Sequence, residues 1–89
     1  MVRYRLHFIG RVQGVGFRWQ ARMAADALRL TGWVMNMWDG SVDMEVQGSE
    51  GDIERMIEML MRARYIEIDD IRKDKIAVCE DERSFNVKH

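Results

Sequence analysis

The sequence of 89 residues contains no proline, two histidines and a single cysteine, Cys79. A lone cysteine cannot form an internal disulfide, so the default compartment for this chain is a reducing cytoplasm. Three acidic residues follow Cys79 and oppose formation of a thiolate, and we therefore interpret Cys79 as an inert thiol. His7 has no second histidine or cysteine at metal-ligand spacing, which argues against a zinc site.

The chain also lacks a strong charge of either sign and lacks long hydrophobic runs. Its 14 Lys and Arg residues stand against 15 Asp and Glu residues, for a formal net charge of −1. This balance predicts no general attraction to nucleic acid or to an anionic membrane. The apolar runs are too short to span a bilayer, and residues 1–5 lack the core of a signal peptide. We expect a single domain covering residues 1–89, present as a cytoplasmic monomer without a nucleic-acid or membrane partner.

The chain does contain clear periodic patterns in its N-terminal third. Apolar residues alternate with polar residues from Arg3 to Phe8, which predicts a strand with one buried face. Apolar residues then recur at helical spacing and predict a helix from about Phe17 to Leu30. Gly32 is predicted to mark the exit of this helix.

A hairpin and a second helix make up the middle of the chain. Strands are predicted at residues 33–38 and 41–47, joined by a type I′ turn at Asp39-Gly40. Ser49 is the predicted cap of the second helix, with Asp52 closing a capping box. The apolar stripe of this helix is predicted to contain Ile53, Met56, Ile57, Leu60 and Met61.

The C-terminal third carries a weaker pattern. The three isoleucines in residues 66–71 do not keep one alternation, so a fourth strand contains a bulge or begins only near Asp70. We interpret the acidic residues 80–82 as a solvated turn and residues 84–88 as a short closing strand. The order β-α-β-β-α-β with one added strand predicts an α+β, ferredoxin-like fold, in which two helices cover one face of an antiparallel sheet.

A glycine-rich stretch joins the first strand to the first helix, and it reads Gly10-Arg11-Val12-Gln13-Gly14-Val15-Gly16-Phe17-Arg18. Its glycines free the backbone for positive φ and for close approach to another group. At a helix start several N–H groups lack intrahelical partners, and the helix dipole favours an anion there. Arg18 adds a permanent positive charge. The stretch indicates a phosphate or carboxylate site. It matches neither the P-loop motif nor the dinucleotide-binding fingerprint. The alternative is a plain tight turn followed by a solvated arginine.

Asn36 is a second candidate for the same site. It lies in the second predicted strand, where asparagine is uncommon. In a β-α-β-β unit this strand can bring Asn36 toward the loop that follows the first strand. The alternative is a residue at a bulge or at an exposed edge.

Two segments of the sequence together resemble the acylphosphatase family. The first, residues 10–19, is the glycine-rich stretch continued to Trp19. The second, residues 31–42, contains Thr31-Gly32-Trp33-Val34-Met35-Asn36 and Asp39-Gly40-Ser41-Val42. The resemblance implies an enzyme that hydrolyses the carboxyl–phosphate bond of small acyl phosphates without a metal or a cofactor. It also implies that the backbone amides of the loop from Gly10 to Gly16 hold the phosphate. Arg18 would bind the phosphate, and Asn36 would orient the attacking water.

The sequence departs from the family pattern at two places. Gln20 stands where members often carry an aromatic residue, and residues 62–65 replace a common Gly-Pro segment, which leaves the course of the fourth strand open. Two other functions are considered for the same fold. One is a phosphate- or carboxylate-binding regulatory module without turnover, and the other is a single-strand RNA binder that stacks bases on Tyr4, Trp33 or Trp38. The absence of a basic stripe counts against RNA binding.

Overall fold

The computed structural model describes all 89 residues, and its elements follow the predicted order. Five strands form one sheet: β1 (Val2–Arg11), β2 (Thr31–Asn36), β3 (Val42–Gly48), β4 (Glu67–Ile76) and β5 (Phe85–Lys88). The two helices are α1 (Phe17–Ala27) and α2 (Glu50–Arg62). The strand order across the sheet is β4-β1-β3-β2-β5. This is the predicted ferredoxin-like α+β arrangement with a short C-terminal strand added at one edge.

The pairing of the strands is mainly antiparallel. β1 lies between β3 and β4, and β2 pairs with β3, all in antiparallel register. β5 instead runs parallel to β2, from the pair Gly32 and Phe85 to the pair Met35 and Lys88. This edge position brings the end of the chain beside α1.

The core fills the space between the sheet and the helices. Cross-strand pairs of β1 and β3 face the helices, and these pairs are Tyr4 with Val46, Leu6 with Met44, and Phe8 with Val42. Each fully buried side chain of this size contributes roughly 1.5–3 kcal/mol relative to exposure. The rings of Phe8 and Phe17 are 4.9 Å apart at their centroids, which fixes the start of α1 against the sheet.

α1 is shorter than predicted. It ends at Ala27, and Arg29 rather than a glycine takes the left-handed conformation, with φ 57°. Gly32 already lies in β2 with φ +143°, where a Cβ would lie 1.9 Å from the backbone oxygen of Glu45. Gly32 therefore serves close strand packing, and its predicted role as the exit of the helix is wrong.

The hairpin prediction is correct in place and wrong in turn type. Gly40 has φ +93°, whereas Asp39 has no positive φ, so the turn is not type I′. The Gly40 N–H donates to the Met37 oxygen (3.2 Å), and the Met37 N–H donates to the Ser41 oxygen (2.8 Å). These two bonds define a three-residue loop that ends in a glycine bulge. The Asp39 carboxylate accepts the Ser41 N–H (3.0 Å), and this local bond favours the observed conformation of Asp39.

The second helix is capped as predicted, but only by half of a capping box. The Ser49 hydroxyl accepts the Asp52 N–H at 3.2 Å. The Asp52 carboxylate accepts Nη1 of Arg55 at 2.6 Å and does not return to the Ser49 N–H. Met61, predicted as part of the apolar stripe, is exposed; the fully buried members of the stripe are Ile53, Met56 and Leu60.

A bulge resolves the uncertain start of the fourth strand. Ile9 pairs with Asp70 and Gly10 pairs with Ile68, so Asp69 is the extra residue of β4. The predicted bulge is confirmed, and β4 begins at Glu67 rather than near Asp70. Neither helix of the fold is long and apolar enough to cross a membrane.

The acidic residues 80–82 are not simply a solvated turn. The Glu82 carboxylate accepts two hydrogen bonds from Arg3, at 2.7 and 3.2 Å. Arg3 is buried on the sheet face opposite the helices, where it also pairs with Glu45. The hydrogen bond to Glu82 raises the pKa of the Arg3 guanidinium above its usual value, against the opposing effect of burial. Glu82 therefore ties the connection between β4 and β5 to the sheet.

Candidate active site

A cavity of about 340 Å³ opens where β1 ends and α1 begins. Residues of the loop, of the first turns of α1, of the end of β2 and of the C-terminal segment line it: Val12, Gln13, Gly14, Gly16, Phe17, Arg18, Trp19, Arg22, Asn36, Val87 and His89. The structure thus brings Arg18, Asn36 and most of the glycine-rich stretch to one place. The cavity lining contains two arginines and a histidine but no Asp or Glu side chain.

Two glycines give the loop its backbone path. Gly14 has φ +71° and Gly16 has φ +78°, both in the left-handed region that favours glycine. A Cβ built at either position would meet nothing within 4 Å. These glycines are therefore required for backbone conformation and leave the approach to the loop open. Gly16 is also the N-cap of α1, and no side chain caps this helix.

The backbone N–H groups from Val12 to Trp19 have no hydrogen-bond acceptor within the protein. The first backbone bond of α1 runs from the Gln20 N–H to the Gly16 oxygen, at 3.0 Å. The preceding donors at the start of a helix combine with the helix dipole to create a positive potential. The loop and the first turn of α1 can therefore hold an anion through the main chain.

Gln13 fixes the loop to the β2–β3 hairpin. Its Nε2 donates to the backbone oxygens of Met37, at 2.7 Å, and of Ser41, at 2.8 Å. In the same hairpin, hydrogen bonds from the Ser41 hydroxyl and N–H hold the pKa of the Asp39 carboxyl below its usual value. The position of the loop is thus coupled to the hairpin that follows Asn36.

Three residues of the predicted loop do not line the cavity. Gly10 lies in β1 with φ +140°, and a Cβ there would lie 2.2 Å from the backbone oxygen of Glu67. Arg11 ends β1, where it pairs with Glu67 and is exposed. Val15 is half-buried and packs against the core. These three residues connect the loop to the sheet and the core.

Arg18 stands in the first turn of α1 and is half-buried. Its Nη1 lies 3.2 Å from Nδ1 of His89. Arg18 forms no ion pair with a carboxylate. The rest of its planar fork of donors is available to an anion in the cavity.

Asn36 is the last residue of β2 and pairs with Val42 of β3. The alternation of the strand places it on the same face as Val34, toward the helices. Its side-chain Oδ1 is buried and has no hydrogen-bond partner. A buried polar atom left unpaired costs about 1–3 kcal/mol, and the residue that carries this atom lines the cavity.

Two cavity residues with ionisable side chains, Arg22 and His89, were not among the predicted site residues. Arg22 follows Arg18 by four positions on a helix, and this spacing alone could have indicated that the two share a face. No sequence pattern near His89 indicated its position, because it reaches the cavity only through the pairing of β5 with β2. No group of three or more His, Cys, Asp or Glu side chains is arranged to hold a metal ion.

The aromatic residues considered for base stacking lie apart from one another. Tyr4 is buried on the helix side, and its hydroxyl donates to Glu50 at 2.8 Å. Trp33 lies on the opposite face of the sheet, between the cationic groups of Arg5 and Lys88. Trp38 is almost fully exposed in the hairpin loop. The three do not form one stacking surface.

The fold and the cavity together define a small α+β domain with main-chain donors and an arginine gathered at the start of its first helix. Residues 4–87 match the family model for acylphosphatase. The acylphosphatase of Clostridium beijerinckii is 36% identical over 90 residues, with all of both chains covered. That of Bifidobacterium longum is 37% identical, with 99% of this chain and 93% of the relative covered.

Solved structures give the same result. The crystal structure of acylphosphatase from Bacillus subtilis superposes with a TM-score of 0.92 at 33% identity, covering 100% of both chains. An acylphosphatase from Coxiella burnetii gives a TM-score of 0.88 at 32% identity, covering 98% of this chain and 92% of the other. The chain belongs to the acylphosphatase family.

Proposed function

We propose that the chain is an acylphosphatase that hydrolyses acyl phosphates to a carboxylate and inorganic phosphate in the cavity at the start of α1. Membership of the family supports this activity. The observation that carries the proposal for the site is the run of N–H groups from Val12 to Trp19 without protein acceptors, next to an arginine without a carboxylate partner.

The phosphoryl group is held by the main chain and by Arg18. The N–H groups of the loop and of the first turn of α1 donate to its oxygens, and Arg18 places two parallel donors on two of them. The cavity-lining residues of the predicted loop supply these donors, while Gly10 and Arg11 anchor the loop to β4. Phosphoryl transfer depends mainly on positioning and on stabilising charge at the phosphoryl oxygens. The loop donors and Arg18 can provide both.

The leaving group needs no acid catalyst. An acyl phosphate is a mixed anhydride, and its leaving carboxylate has a conjugate acid with a pKa of about 4. Such a group departs as an anion at neutral pH. We propose that the reaction proceeds without a metal or a cofactor.

Asn36 orients the nucleophile. The side-chain carboxamide of Asn36, which lines the cavity, hydrogen-bonds a water molecule and holds the water oxygen in line with the scissile bond. The water oxygen bonds to phosphorus as the bond between phosphorus and the acyl oxygen breaks. The carboxylate leaves with the bonding electrons, and the water proton passes to the phosphate.

The unit that performs this reaction is residues 1–89 acting as a single domain. One core of 18 buried residues connects the sheet to both helices and supports this view. We also propose a cytoplasmic monomer, and the formal net charge of −1 supports the absence of a nucleic-acid partner.

The test is hydrolysis of benzoyl phosphate in ¹⁸O-labelled water, with and without a chelator. We expect turnover that the chelator does not change, with the label recovered in inorganic phosphate and none in benzoate. Label in benzoate would place the attack at the carbonyl carbon, and loss of turnover with chelator would make the reaction metal-dependent. Binding of phosphate without any turnover would instead make the chain a binding module.

A further inference from the structure

Arg22 is a second arginine of the cavity, and the proposed phosphate site does not use it. It lies one helical turn after Arg18, and residues at this spacing have Cβ atoms about 5–6 Å apart. Its side chain is 58% exposed, and its only ion pair is a contact of 3.9 Å with Asp26. Arg22 is therefore free to bind a group at the mouth of the cavity.

One phosphoryl group would pair with only part of the positive charge that lines the cavity. The protein has a formal net charge of −1, yet no Asp or Glu side chain lines the cavity, which holds Arg18, Arg22 and His89. His89 contacts Arg18, and Asp26 next to Arg22 does not line the cavity. Once Arg18 and the loop amides hold the phosphoryl group, Arg22 remains with only its long, exposed contact to Asp26.

The cavity also has room for more than a phosphoryl group. Its volume of about 340 Å³ is within the range of sites for small organic ligands. Trp19 stands beside Arg18 in the lining and is 62% exposed, so it offers an apolar surface for methylene groups. The acyl part of the substrate would pass this surface on the way to Arg22.

We propose that Arg22 binds a second anionic group on the acyl part of the substrate. The preferred substrates are then acyl phosphates that carry a carboxylate or another phosphate at the far end of a short acyl chain. This inference rests on the proposed function and deepens it, since it assigns the acyl end of the substrate to a residue outside the phosphate site.

The test compares succinyl phosphate with butyryl phosphate, which have four-carbon chains and differ by a terminal carboxylate in place of a methyl group. We expect wild type to prefer succinyl phosphate in kcat/KM, and Arg22→Gln to reduce that preference about three- to fivefold, as for an exposed ion pair. The change should appear in KM, because the remote carboxylate is bound equally in the ground state and the transition state. Added salt should reduce the preference in wild type and have little effect on it in Arg22→Gln.

Arg62→Gln is the matched control, because Arg62 is also an exposed helical arginine with one contact of 3.9 Å, to Glu58. It should keep the wild-type preference. Arg22→Lys retains the charge and should keep most of the preference, and Asp26→Asn should increase it by removing the competing carboxylate.

Two outcomes would overturn the inference. An unchanged ratio in Arg22→Gln would show that Arg22 does not contact the acyl end, and an equal loss for both substrates would place it at the common phosphoryl group. Failure of wild type to hydrolyse either substrate would instead contradict the proposed function itself. Circular dichroism of each variant confirms that it is folded.

Discussion

At the scale of single residues, the proposed site contains few chemical groups, and local structure positions each of them. Arg18 stands in the first turn of α1, so its charge lies beside the unpaired helix donors. Asn36 ends β2 on the helix-facing side, where its amide oxygen is buried without a protein partner. In the proposed mechanism one residue holds the phosphoryl group and the other holds the water.

Arg18→Gln should remove most of the hydrolysis of acetyl phosphate. An arginine that contacts a transferring phosphoryl group is worth roughly 10³–10⁵ in rate, because it stabilises charge at the phosphoryl oxygens. The measurement is kcat/KM with circular dichroism as the folding check, and Arg62→Gln serves as the control arginine. A folded Arg18→Gln variant that kept more than about a tenth of wild-type activity would disprove the proposed role.

The residues predicted for the site could be recognised because each belongs to a short contiguous motif. Arg18 follows a glycine-rich turn, and Asn36 is a polar residue in an otherwise apolar strand. Arg22 was not predicted for the site, although its helical spacing from Arg18 carried the signal. His89 could not be found in this way, because its place depends on the pairing of β5, which is a long-range contact.

At the scale of elements, the glycines of the first connection have different functions. Gly14 and Gly16 supply left-handed backbone in the loop, with open space where a side chain would be. Gly10 belongs to β1 and allows close approach to the bulge of β4. The strand thus ends, and the loop begins, at a point fixed by backbone packing.

Gly10→Ala should destabilise the fold. The new Cβ would meet the backbone oxygen of Glu67 at 2.2 Å, and φ +140° is itself unfavourable for alanine. We expect a loss of about 2 kcal/mol or more, which lowers Tm by roughly 8 °C or more for a domain of this size. Gly51→Ala, at a helical position without a close backbone contact, should not lower Tm. Equal Tm values for Gly10→Ala and wild type would contradict the packing argument.

Asp39→Ala should destabilise the hairpin in a pH-dependent way. The Ser41 hydrogen bonds lower the folded-state pKa of Asp39, so its contribution is present above the usual value of 3.8 and is lost as pH falls below it. The difference in Tm between wild type and Asp39→Ala should therefore shrink from pH 6 toward pH 2. Asp81→Ala, at an exposed residue, should show no such trend. A constant difference for Asp39→Ala across this range would refute the role of the ionised carboxylate.

Element order could be predicted from periodicity, whereas element ends could not. The apolar pattern of α1 continues to Leu30, but the helix stops at Ala27 because Arg29 turns the chain into β2. The Asp39-Gly40 pair indicated a hairpin, but the turn type depends on the bond between Asp39 and Ser41. Such choices are decided by single hydrogen bonds and by tertiary contacts, which periodicity does not report.

At the scale of the whole molecule, the two faces of the sheet have different roles. The helix-covered face carries the core and ends at the cavity. The opposite face carries a network of ion pairs among β1, β3 and the connection to β5, in which Arg3 is buried and binds both Glu45 and Glu82. This network holds the segment that leads to β5, and β5 in turn carries Val87 to the cavity.

Glu82→Ala should destabilise the molecule through the buried arginine. Removing Glu82 removes two hydrogen bonds of Arg3, and hydrogen bonds to charged groups contribute about 1.5–3 kcal/mol. A loss of about 2 kcal/mol corresponds to a fall in Tm of roughly 8–16 °C. Glu80→Ala is the control, because the exposed Glu80 has no partner, and its effect should stay within about 0.5 kcal/mol. Similar Tm values for the two variants would show that Glu82 is not an anchor.

In the proposed mechanism, main-chain donors and Arg18 hold the phosphoryl group while Asn36 orients the water. The most direct test measures kcat for acetyl phosphate and inhibition by inorganic phosphate in Asn36→Ala, with Arg18→Gln alongside. We expect Asn36→Ala to lower kcat at least about 100-fold, as for loss of a positioned reactant, and to change phosphate inhibition by less than about threefold. Arg18→Gln should weaken both. Equal losses of kcat and of phosphate affinity in a folded Asn36→Ala variant would make Asn36 a phosphate-binding residue and contradict the account.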